Sequence, residues 1–311
     1  MPPSNSPSTP PSNRSGARPA EGGDGRAQTT KAKSVRLDVL LVERGLFPSR
    51  EAAKRAIMAG LVRREGDVLD KPGTFVRPDA VVEVAQPEHA FVSRGGLKLE
   101  RALARFGVSA DQRVVVDVGA STGGFTDCVL RHGAKHVYAV DVGYGQLDWK
   151  LRNDPRVTVM ERTNFRHVDA ALFSPPPSLA VMDVSFISTR LLLPKLQEIL
   201  QPPGDIISLI KPQFEAGRGK VGKGGIVRDP QVHTDVICQL LSFLPTVGLE
   251  CAGLDYSPVA GGDGNIEFLG WWRPARTTDA EAVEAWRDRA VQVVREAWLE
   301  IRGEEVVPLR K

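Results

Sequence analysis

The 311-residue sequence predicts an α/β protein in which a doubly wound sheet follows a small basic domain and a low-complexity tail. Three observations support this prediction. From Arg113 onward, β-branched runs alternate with helical segments, which is typical of a mostly parallel sheet covered by helices. Lysine and arginine cluster in residues 35–64. Proline, serine, glycine and alanine dominate residues 1–34.

The tail, residues 1–34, contains almost no large apolar side chains, so burial cannot offset the entropy lost on ordering. It holds five basic and two acidic side chains, which accounts for the whole formal charge of +3. We therefore predict a disordered tail and a remainder that is neutral on balance.

The composition argues against a secreted or membrane protein. The N-terminus lacks the apolar core of a signal peptide, and no stretch approaches the roughly 18 apolar residues of a membrane span. The three cysteines show neither pairing nor metal-ligand spacing. These features predict a cytoplasmic protein that binds no membrane and no metal.

Residues 35–87 are predicted to form a small domain of two helices followed by a hairpin. An apolar repeat that begins at Leu37 predicts the first helix, which Gly45 can stop. Ser49 is a suitable N-cap for a second helix that ends near Gly60.

The charges of this domain fit two interpretations, a solvated helix face or a phosphate-binding surface, because seven basic side chains stand against three acidic ones over 35–64. From Ser49, S-R-x-x-A-x-x-x-I-x-x-G-x-V followed by a hairpin turning at Gly66 and Asp67 resembles the α-L RNA-binding motif, although the usual Val-Asn-Gly tip is Arg-Glu-Gly here. The resemblance implies RNA contacts from Arg36, Arg50, Lys54, Arg55, Arg63 and Arg64.

The predicted sheet begins with five β-branched runs: RVVVDVG, HVYAVDVG, VTVMER, SLAVMDVSF and DIISLIKP. A helix at about 231–243 and strands near 249–257 and 266–272 follow. From Asp279, an apolar stripe at three- and four-residue spacing predicts a terminal helix that packs through Val283, Trp286, Ala290, Val293, Ala297 and Ile301.

A glycine-rich turn in VVVDVGASTGGFTDCVL predicts a cofactor site between the first strand and a helix. Gly119, Gly123 and Gly124 let the backbone approach a ligand closely. Asp141 ends the next strand, twenty-two positions after Gly119, where an acid holds a ribose diol. These features fit a nicotinamide enzyme or an S-adenosylmethionine (SAM) methyltransferase. Asp117 at the strand tip, and the lack of a G-x-G-x-x-G pattern, favour SAM.

Four charged residues are candidates for catalysis. Lys98 lies on a helix before the first strand, while Asp183 and Lys211 end the fourth and fifth strands. Glu267 begins the last strand. Open α/β sheets bind ligands beyond the carboxyl ends of their parallel strands, so we expect Asp183 and Lys211 to meet there. A solvated lysine or a strand-edge carboxylate would explain Lys98 or Glu267 alone.

The motifs around these residues resemble the TlyA family: VSRGGLKLERAL, DVGASTGGFTDCVLRHGAKHVYAVDVGYGQL, MDVSFIS, LIKPQFEAGR, GGIVRD and SPVAGGDGNIEFL. The resemblance implies an α-L domain over 35–87, a linker at 88–94, an FtsJ-like, Rossmann-like SAM-dependent methyltransferase domain over 95–275 and a C-terminal helix over 276–311 packing on it. It also implies 2′-O-methylation of ribose in ribosomal RNA, with cytidine as the substrate.

The same resemblance implies the site residues. The class carries a Lys-Asp-Lys-Glu tetrad, whose members here are Lys98, Asp183, Lys211 and Glu267. SAM is expected to contact the glycine turn and nearby polar residues, namely Asp117, Gly119, Ser121, Thr122, Gly123, Gly124, Phe125, Asp141, Asn164 and Asp183.

The proposed chemistry explains why such a tetrad is needed. A ribose hydroxyl is a weak acid and the SAM sulfonium an activated donor, so transfer requires in-line placement and a proton acceptor. We assign Lys211 as the base, which requires a fall in its pKa through desolvation or a nearby cation such as Lys98. We expect Asp183 to orient the amine and the hydroxyl, while Glu267 and Lys98 fix the network.

The segment GRGKVGKGG, residues 217–225, imitates a nucleotide-binding P-loop. Gly224 replaces the Ser or Thr that would hold magnesium, and the segment does not directly join a strand to a helix, so this interpretation fails. We predict a cationic loop whose Arg218, Lys220 and Lys223 contact the RNA backbone, with a plain mobile surface loop as the alternative.

Two other functional classes compete with an RNA methyltransferase. Because relatives are often labelled haemolysins, a membrane-active protein is one alternative. The terminal helix is acidic, however, whereas a helix that binds a membrane surface is typically basic. A non-catalytic rRNA-binding protein is disfavoured by the intact tetrad. Base methylation is disfavoured because no cysteine lies near the fourth-strand motif, and DVSF replaces the Asn/Asp-Pro-Pro-aromatic stretch typical of N-methylation.

Overall fold

The structure is a computed structural model, which describes residues 34–47, 49–58, 60–85, 90–261, 264–275 and 280–306. The predicted disordered tail lies outside the described residues except for Ser34. The chain divides into two compact units, Met1–Gln86 and Pro87–Lys311.

The first unit packs two helices against short strands. Its elements are β1 (Val35–Arg36), α1 (Leu37–Glu43), α2 (Arg50–Met58), β2 (Val62–Arg64), β3 (Asp67–Val68), β4 (Phe75–Val76) and β5 (Glu83–Val84). Strand β1 pairs with β4, and β2 lies between β3 and β5. Apolar side chains from both helices and from β2 and β4 form the core: Leu37, Leu40, Leu41, Ala53, Ala56, Ile57, Val62 and Val76.

Local signals set the limits of these elements. Ser49 Oγ accepts a hydrogen bond from the Ala52 N–H at 3.2 Å, as an N-cap does. The prediction that the hairpin turns at Gly66 and Asp67 is wrong by one residue, because the turn is Glu65–Gly66, with φ of 54° and 90°. Two left-handed residues match the twist of the strands they join, so Asp67 already lies in β3.

The second unit is a seven-stranded sheet covered by helices. Its strands are β6 (Val114–Val118), β7 (His136–Val140), β8 (Val157–Met160), β9 (Leu179–Met182), β10 (Asp205–Ile210), β11 (Leu249–Tyr256) and β12 (Phe268–Pro274). Their order is β11-β12-β10-β9-β6-β7-β8, and β12 runs antiparallel to both neighbours. The predicted doubly wound, mostly parallel sheet is confirmed.

The helices of this unit form two apolar layers with the sheet. They are α3 (Gly95–Phe106), α4 (Gly124–Arg131), α5 (Trp149–Arg152), α6 (Leu193–Ile199), α7 (Pro212–Glu215), α8 (Pro230–Phe243) and α9 (Ala280–Arg302). One layer contains α3 and α4, and the other contains α6, α8 and α9. From the predicted α9 stripe, Ala290, Val293 and Ala297 are fully buried. In the described part of the chain, no helix combines the length and apolar character needed to cross a membrane.

A buried hydrogen bond joins α8 to α9. Trp298 Nε1 donates to His233 Nδ1 at 2.9 Å, and the imidazole is fully buried with its ring against Phe268. Burial, with a smaller contribution from Arg302, lowers the pKa of His233 to about 4. The imidazole is therefore neutral at neutral pH.

Acid should weaken this contact between the two helices. In the unfolded chain His233 takes up a proton near pH 6.5, but in the folded chain only near pH 4. The free energy of unfolding should therefore fall by about 3 kcal/mol as the pH drops through that window. His233→Gln keeps an acceptor for Trp298 without titrating and should show a flatter profile. Urea unfolding at several pH values measures the free energy of unfolding of the parent protein and of the variant. The same dependence on pH in both proteins would contradict the role given to His233.

Candidate active site

Lys98 and Glu267 form a buried ion pair. Lys98 lies in the first turn of α3, and its Nζ is 2.5 Å from Glu267 Oε2. The two side chains are only 11% and 4% exposed. Burial alone would lower the pKa of Lys98, but the carboxylates of Asp183 and Glu267 together outweigh it and raise the pKa. Lys98 is therefore a fixed cation that acts on both acids.

Asp183 and Lys211 form a second ion pair. Lys211 Nζ lies 2.5 Å from Asp183 Oδ1 and donates to Ser185 Oγ at 3.1 Å. Among the described residues, the buried Asp183 Oδ1 accepts no hydrogen bond of regular geometry. The contact with Lys211 is therefore an ion pair without regular hydrogen-bond geometry.

The sheet brings the two pairs to the same edge. Asp183 directly follows β9, and Lys211 directly follows β10. Glu267, predicted to begin the last strand, directly precedes β12. Because β9 and β10 are parallel and β12 is antiparallel to β10, all three side chains start from the carboxyl ends of the parallel strands. The carboxylate of Asp183, like that of Glu267, raises the pKa of Lys98, so the two ion pairs lie close enough to interact.

The glycine turn between β6 and α4 packs directly on the loop that carries Asp183. Gly119 and Gly123 have φ of 84° and 94°, in the left-handed region that favours glycine. A Cβ on Gly119 would lie 2.6 Å from the Asp183 carbonyl oxygen, and one on Gly124 would lie 2.2 Å from Ser93 Oγ. The absence of side chains lets the turn pack closely on the Asp183 backbone at Gly119 and on Ser93 at Gly124.

Asp117 supplies an unpaired buried oxygen two residues before this turn. Thr126 Oγ1 donates to Asp117 Oδ2 at 2.6 Å, whereas Oδ1 has no partner among the described residues. Burial is the main cause that raises the pKa of Asp117 to about 7. A buried carboxylate without a full set of partners suits a cationic donor, such as the amino group of SAM. The residues present thus fit this cofactor.

Asp141 lies beyond β7 with both carboxylate oxygens fixed. The N–H groups of Ser121 and Gly143 donate to them at 2.8 Å and 2.7 Å. Asn164 lies beyond β8, and its side chain caps the turn that follows. Each carboxylate oxygen of Asp141 keeps a further lone pair for a ribose diol. The remaining predicted cofactor residues are Thr122, which is half-buried, and Phe125, which lies in the core.

The cationic loop, residues 217–225, is hereafter called the basic loop. The backbone at its end is hydrogen-bonded to the segment that carries Glu267. Asn265 is fully buried; its Oδ1 accepts from the Val227 N–H, and its Nδ2 donates to the Gly225 carbonyl, both at 2.9 Å. Because Asn265 stands two residues before Glu267, one side chain links the loop backbone to the tetrad segment.

The described basic side chains of this loop differ in their ion pairing and exposure. Lys220 Nζ pairs with Asp235 on α8 at 2.9 Å, whereas Lys223 is exposed. The side chain of Arg218 lies outside the described residues. Residues Arg218–Lys220 form a 3₁₀ turn, consistent with the rejection of a P-loop.

In the first unit, the predicted RNA-binding residues lie mostly at the surface. Arg36 and Arg50 are about half exposed and share contacts with Asp38. Lys54 pairs with the exposed Glu51. Arg63 and Arg64 are exposed on β2, and the side chain of Arg55 is not among those described.

Several side chains of the site were not predicted from the sequence. Ser185 and Thr126 contact Lys211 and Asp117, and Phe186 is 90% exposed three residues after Asp183. The signal for Phe186 was present, because an aromatic residue follows the strand-end acid in MDVSF. No local pattern distinguishes the polar Asn265 as a buried clamp.

Comparisons with known proteins find families that match both units. A family model described as FtsJ-like methyltransferase matches residues 91–273, and an S4 domain model matches residues 35–82. YqxC of Bacillus subtilis (strain 168), provisionally named an rRNA methyltransferase, is 58% identical over 239 residues, which cover 76% of this chain and 85% of that protein.

Two further similarities extend over most of both chains. The 16S/23S rRNA (cytidine-2′-O)-methyltransferase TlyA of Mycobacterium tuberculosis (strain ATCC 25618 / H37Rv) is 43% identical over 263 residues, covering 84% of this chain and 98% of that protein. A solved structure of a Streptococcus thermophilus protein, provisionally named a hemolysin, has a TM-score of 0.68 and 45% identity, covering 88% of this chain and 98% of that chain.

Gly119→Ala should disrupt both the turn and the tetrad. The added Cβ meets backbone at 2.6 Å and the residue keeps a positive φ, so we expect a loss of about 2–4 kcal/mol in the free energy of unfolding. Gly107→Ala is the matched control, because Gly107 has φ of 66° but no atom within 4 Å of its Cβ position. It should cost only about 1 kcal/mol. Urea unfolding compares them, and equal losses would show that the close approach to Asp183 is unimportant.

Proposed function

The chain belongs to the FtsJ-like methyltransferase family and uses S-adenosylmethionine, and we propose that it methylates the ribose 2′-hydroxyl of cytidine in ribosomal RNA. The strongest support is the placement of Lys98, Asp183, Lys211 and Glu267 at one edge of the sheet, beside the glycine turn. Such a site offers a weakly acidic hydroxyl both a fixed position and a proton acceptor. The choice of cytidine and rRNA rests on the name of the Mycobacterium tuberculosis relative.

The donor site is assigned to the carboxyl ends of β6, β7 and β9. Bound SAM supplies an activated methyl group on a sulfonium. In this proposal Asp117 holds the amino group, Asp141 holds the ribose diol, and the backbone around Gly119 lies against the ligand. The other contacts are assigned to Ser121, Thr122, Gly123, Gly124, Phe125, Asn164 and Asp183.

Lys211 is the proton acceptor in the proposed reaction. In the proposal Lys211 first gives its own proton to solvent, and the amine then takes the proton of the ribose hydroxyl as the methyl group passes from sulfur to oxygen. Asp183, 2.5 Å from the amine, orients it, and the Lys98–Glu267 pair holds the surroundings in place. The Lys211 side chain is 11% exposed, which gives the proton a route to solvent.

Each unit is proposed to contribute its own contacts to the RNA. Near the tetrad, Phe186 is exposed and packs at 5.0 Å on Phe214, so it presents an aromatic face on which an unstacked base can lie. Phosphate contacts are assigned to the basic loop, through Arg218, Lys220 and Lys223, and to the first unit, through Arg36, Arg50, Lys54, Arg55, Arg63 and Arg64.

The domain assignment follows from this division of labour. We assign the α-L RNA-binding domain to 35–87, a linker to 88–94, the methyltransferase domain to 95–275 and a C-terminal helix to 276–311. The partner in this proposal is ribosomal RNA or a ribosomal subunit, and the site of action is the cytoplasm. Within the described residues, no feature favours the membrane-active alternative over methyl transfer.

Lys211→Ala should lower kcat for methyl transfer to rRNA by roughly 10²- to 10⁴-fold, because it removes the general base. SAM should still bind, since the glycine turn and Asp117 are untouched. Lys195→Ala, in the surface pair Lys195–Glu198, is the control and should keep full activity. Transfer from tritiated SAM and calorimetric SAM binding measure both effects. Substantial turnover in the Lys211 variant would remove it from the base role.

Neutralising the basic loop should weaken RNA binding and flatten its salt dependence. Replacing Arg218, Lys220 and Lys223 by Gln should reduce the slope of log affinity against log salt by about 0.7 for each phosphate that the loop neutralises. The matched control carries the same charge change on the acidic α9, as Arg287→Gln, Arg289→Gln and Arg295→Gln. Filter binding across a salt series measures the slopes. An unchanged slope in the loop variant would show that the loop is a plain surface loop.

A further inference from the structure

A buried carboxylate holds two arginines together in the first unit. Asp38, in α1, is fully buried. Its Oδ1 accepts from Arg36 Nε at 2.9 Å, and its Oδ2 accepts from Arg36 Nη2 at 3.1 Å and from Arg50 Nη2 at 2.9 Å. The Arg36 and Arg50 side chains are still 41% and 50% exposed. One carboxylate thus fixes two guanidinium groups whose other edges remain accessible.

The three groups form a pre-organised cationic cluster. The hydrogen bond from Arg36 is the main cause that lowers the pKa of Asp38 to about 2, against the opposing effect of burial. Asp38 therefore stays ionised, and the cluster carries one net positive charge. A guanidinium has five N–H donors, of which Arg36 uses two on Asp38 and Arg50 uses one. The remaining donors suit an anion that accepts several hydrogen bonds, and a phosphate does.

An exposed aromatic ring stands beside this cluster. In the antiparallel pair of β1 and β4, Arg36 lies directly opposite Phe75, and Val35 lies opposite the buried Val76. Residues directly opposite in such a pair share one face of the ladder, so Phe75 and Arg36 point to the same side. Phe75 is 64% exposed. An uncovered ring next to two accessible guanidinium groups suits a nucleotide whose base is unpaired.

We propose that Arg36 and Arg50, braced by Asp38, bind one backbone phosphate of the RNA, and that Phe75 stacks on the adjoining unpaired base. Asp38 acts here as a positioning residue, which never touches the RNA. The proposal rests on the proposed function for the identity of the polyanion. It goes beyond that function by defining a subsite for a single-stranded nucleotide in the first unit.

Asp38→Asn separates positioning from simple charge by the sign of its effect. Removing a negative charge near a phosphate site should tighten RNA binding if net charge alone mattered. If Asp38 positions the two arginines, the variant should instead bind rRNA about tenfold more weakly. The experiment measures filter binding of the full-length protein to purified 16S and 23S rRNA at several salt concentrations. Unchanged or tighter binding by the variant would overturn the proposal.

Asp79→Asn is the matched control. Asp79 accepts the same two-bond fork from an arginine two residues away, Arg77, but both side chains are exposed. In the part of the chain that the structure describes, the nearby Arg44 donates to the Pro78 and Ala80 carbonyls and not to this carboxylate. This variant should bind rRNA as the parent does. Equal weakening by both substitutions would show that Asp38 has no special role.

Arg50→Lys guards against unfolding as the cause of weak binding. Arg50 is half exposed and a lysine can still pair its charge with the buried Asp38, so the substitution should change the melting temperature little. The lysine keeps the charge but cannot contact Asp38 and a phosphate through one rigid fork, so binding should weaken several-fold. Affinity equal to that of the parent protein would contradict the proposed phosphate site, whatever the Asp38 variant does.

Phe75→Ala tests the stacking half of the proposal. Binding to a single-stranded oligocytidylate should weaken about tenfold, while binding to a duplex RNA of equal length should not change. Val68→Ala, which truncates another exposed apolar side chain of the first unit, should affect neither ligand. Equal loss on single and double strands, or no loss, would overturn the assignment of an unpaired base.

These binding measurements separate the proposal from the proposed function. If the parent protein methylates rRNA and the Asp38→Asn variant binds rRNA as tightly as the parent does, the phosphate site is overturned and the enzymatic function stands. If the variants lose RNA affinity as expected but the parent protein transfers no methyl group, the phosphate site is supported and the proposed enzymatic function is overturned. A parent protein that binds no RNA would overturn both.

Discussion

The structure depends on two buried lysine–carboxylate pairs that meet at the carboxyl edge of one sheet. Isolated charges of this burial would be costly, and each is tolerated because its partner lies at ion-pair distance. The two pairs also depend on each other, because the carboxylates of Asp183 and Glu267 together raise the pKa of Lys98 by more than burial lowers it. Removing one member leaves a charge uncompensated in the cluster. The proposed catalytic site and the local stability of the sheet edge therefore rest on the same contacts.

The glycine turn and the tetrad are packed as one unit. Gly119 lies so close to the Asp183 carbonyl that no side chain fits between them. On the other side of the turn, Asp117 keeps an unpaired oxygen and Asp141 is held by backbone N–H groups. In the proposed function, a donor bound along this turn lies beside the pair of Asp183 and Lys211. In-line transfer requires such fixed separation between the donor group and the acceptor group.

The sequence predicted the features that depend on local pattern. The β-branched runs located β6 to β10, and strand-end residues such as Asp183 and Lys211 followed from them. Contacts between distant segments were less accessible. The pairing of Lys98 with Glu267 spans 169 positions and depends on how α3 packs near the start of β12. Asn265 and Asp38 are polar residues whose burial no periodicity reveals, because it is their partners that make burial tolerable. The hairpin was misplaced by one residue because Glu65 adopts a positive φ, which is uncommon outside glycine.

A structure of the protein with S-adenosylhomocysteine and a target rRNA fragment would test the central claim most directly. The decisive quantity is the distance from Lys211 Nζ to the ribose 2′-oxygen of the target nucleotide. The account predicts about 3 Å, with that oxygen pointing at the cofactor sulfur. A base nitrogen or carbon in that place, with the 2′-oxygen out of reach of Lys211, would contradict it.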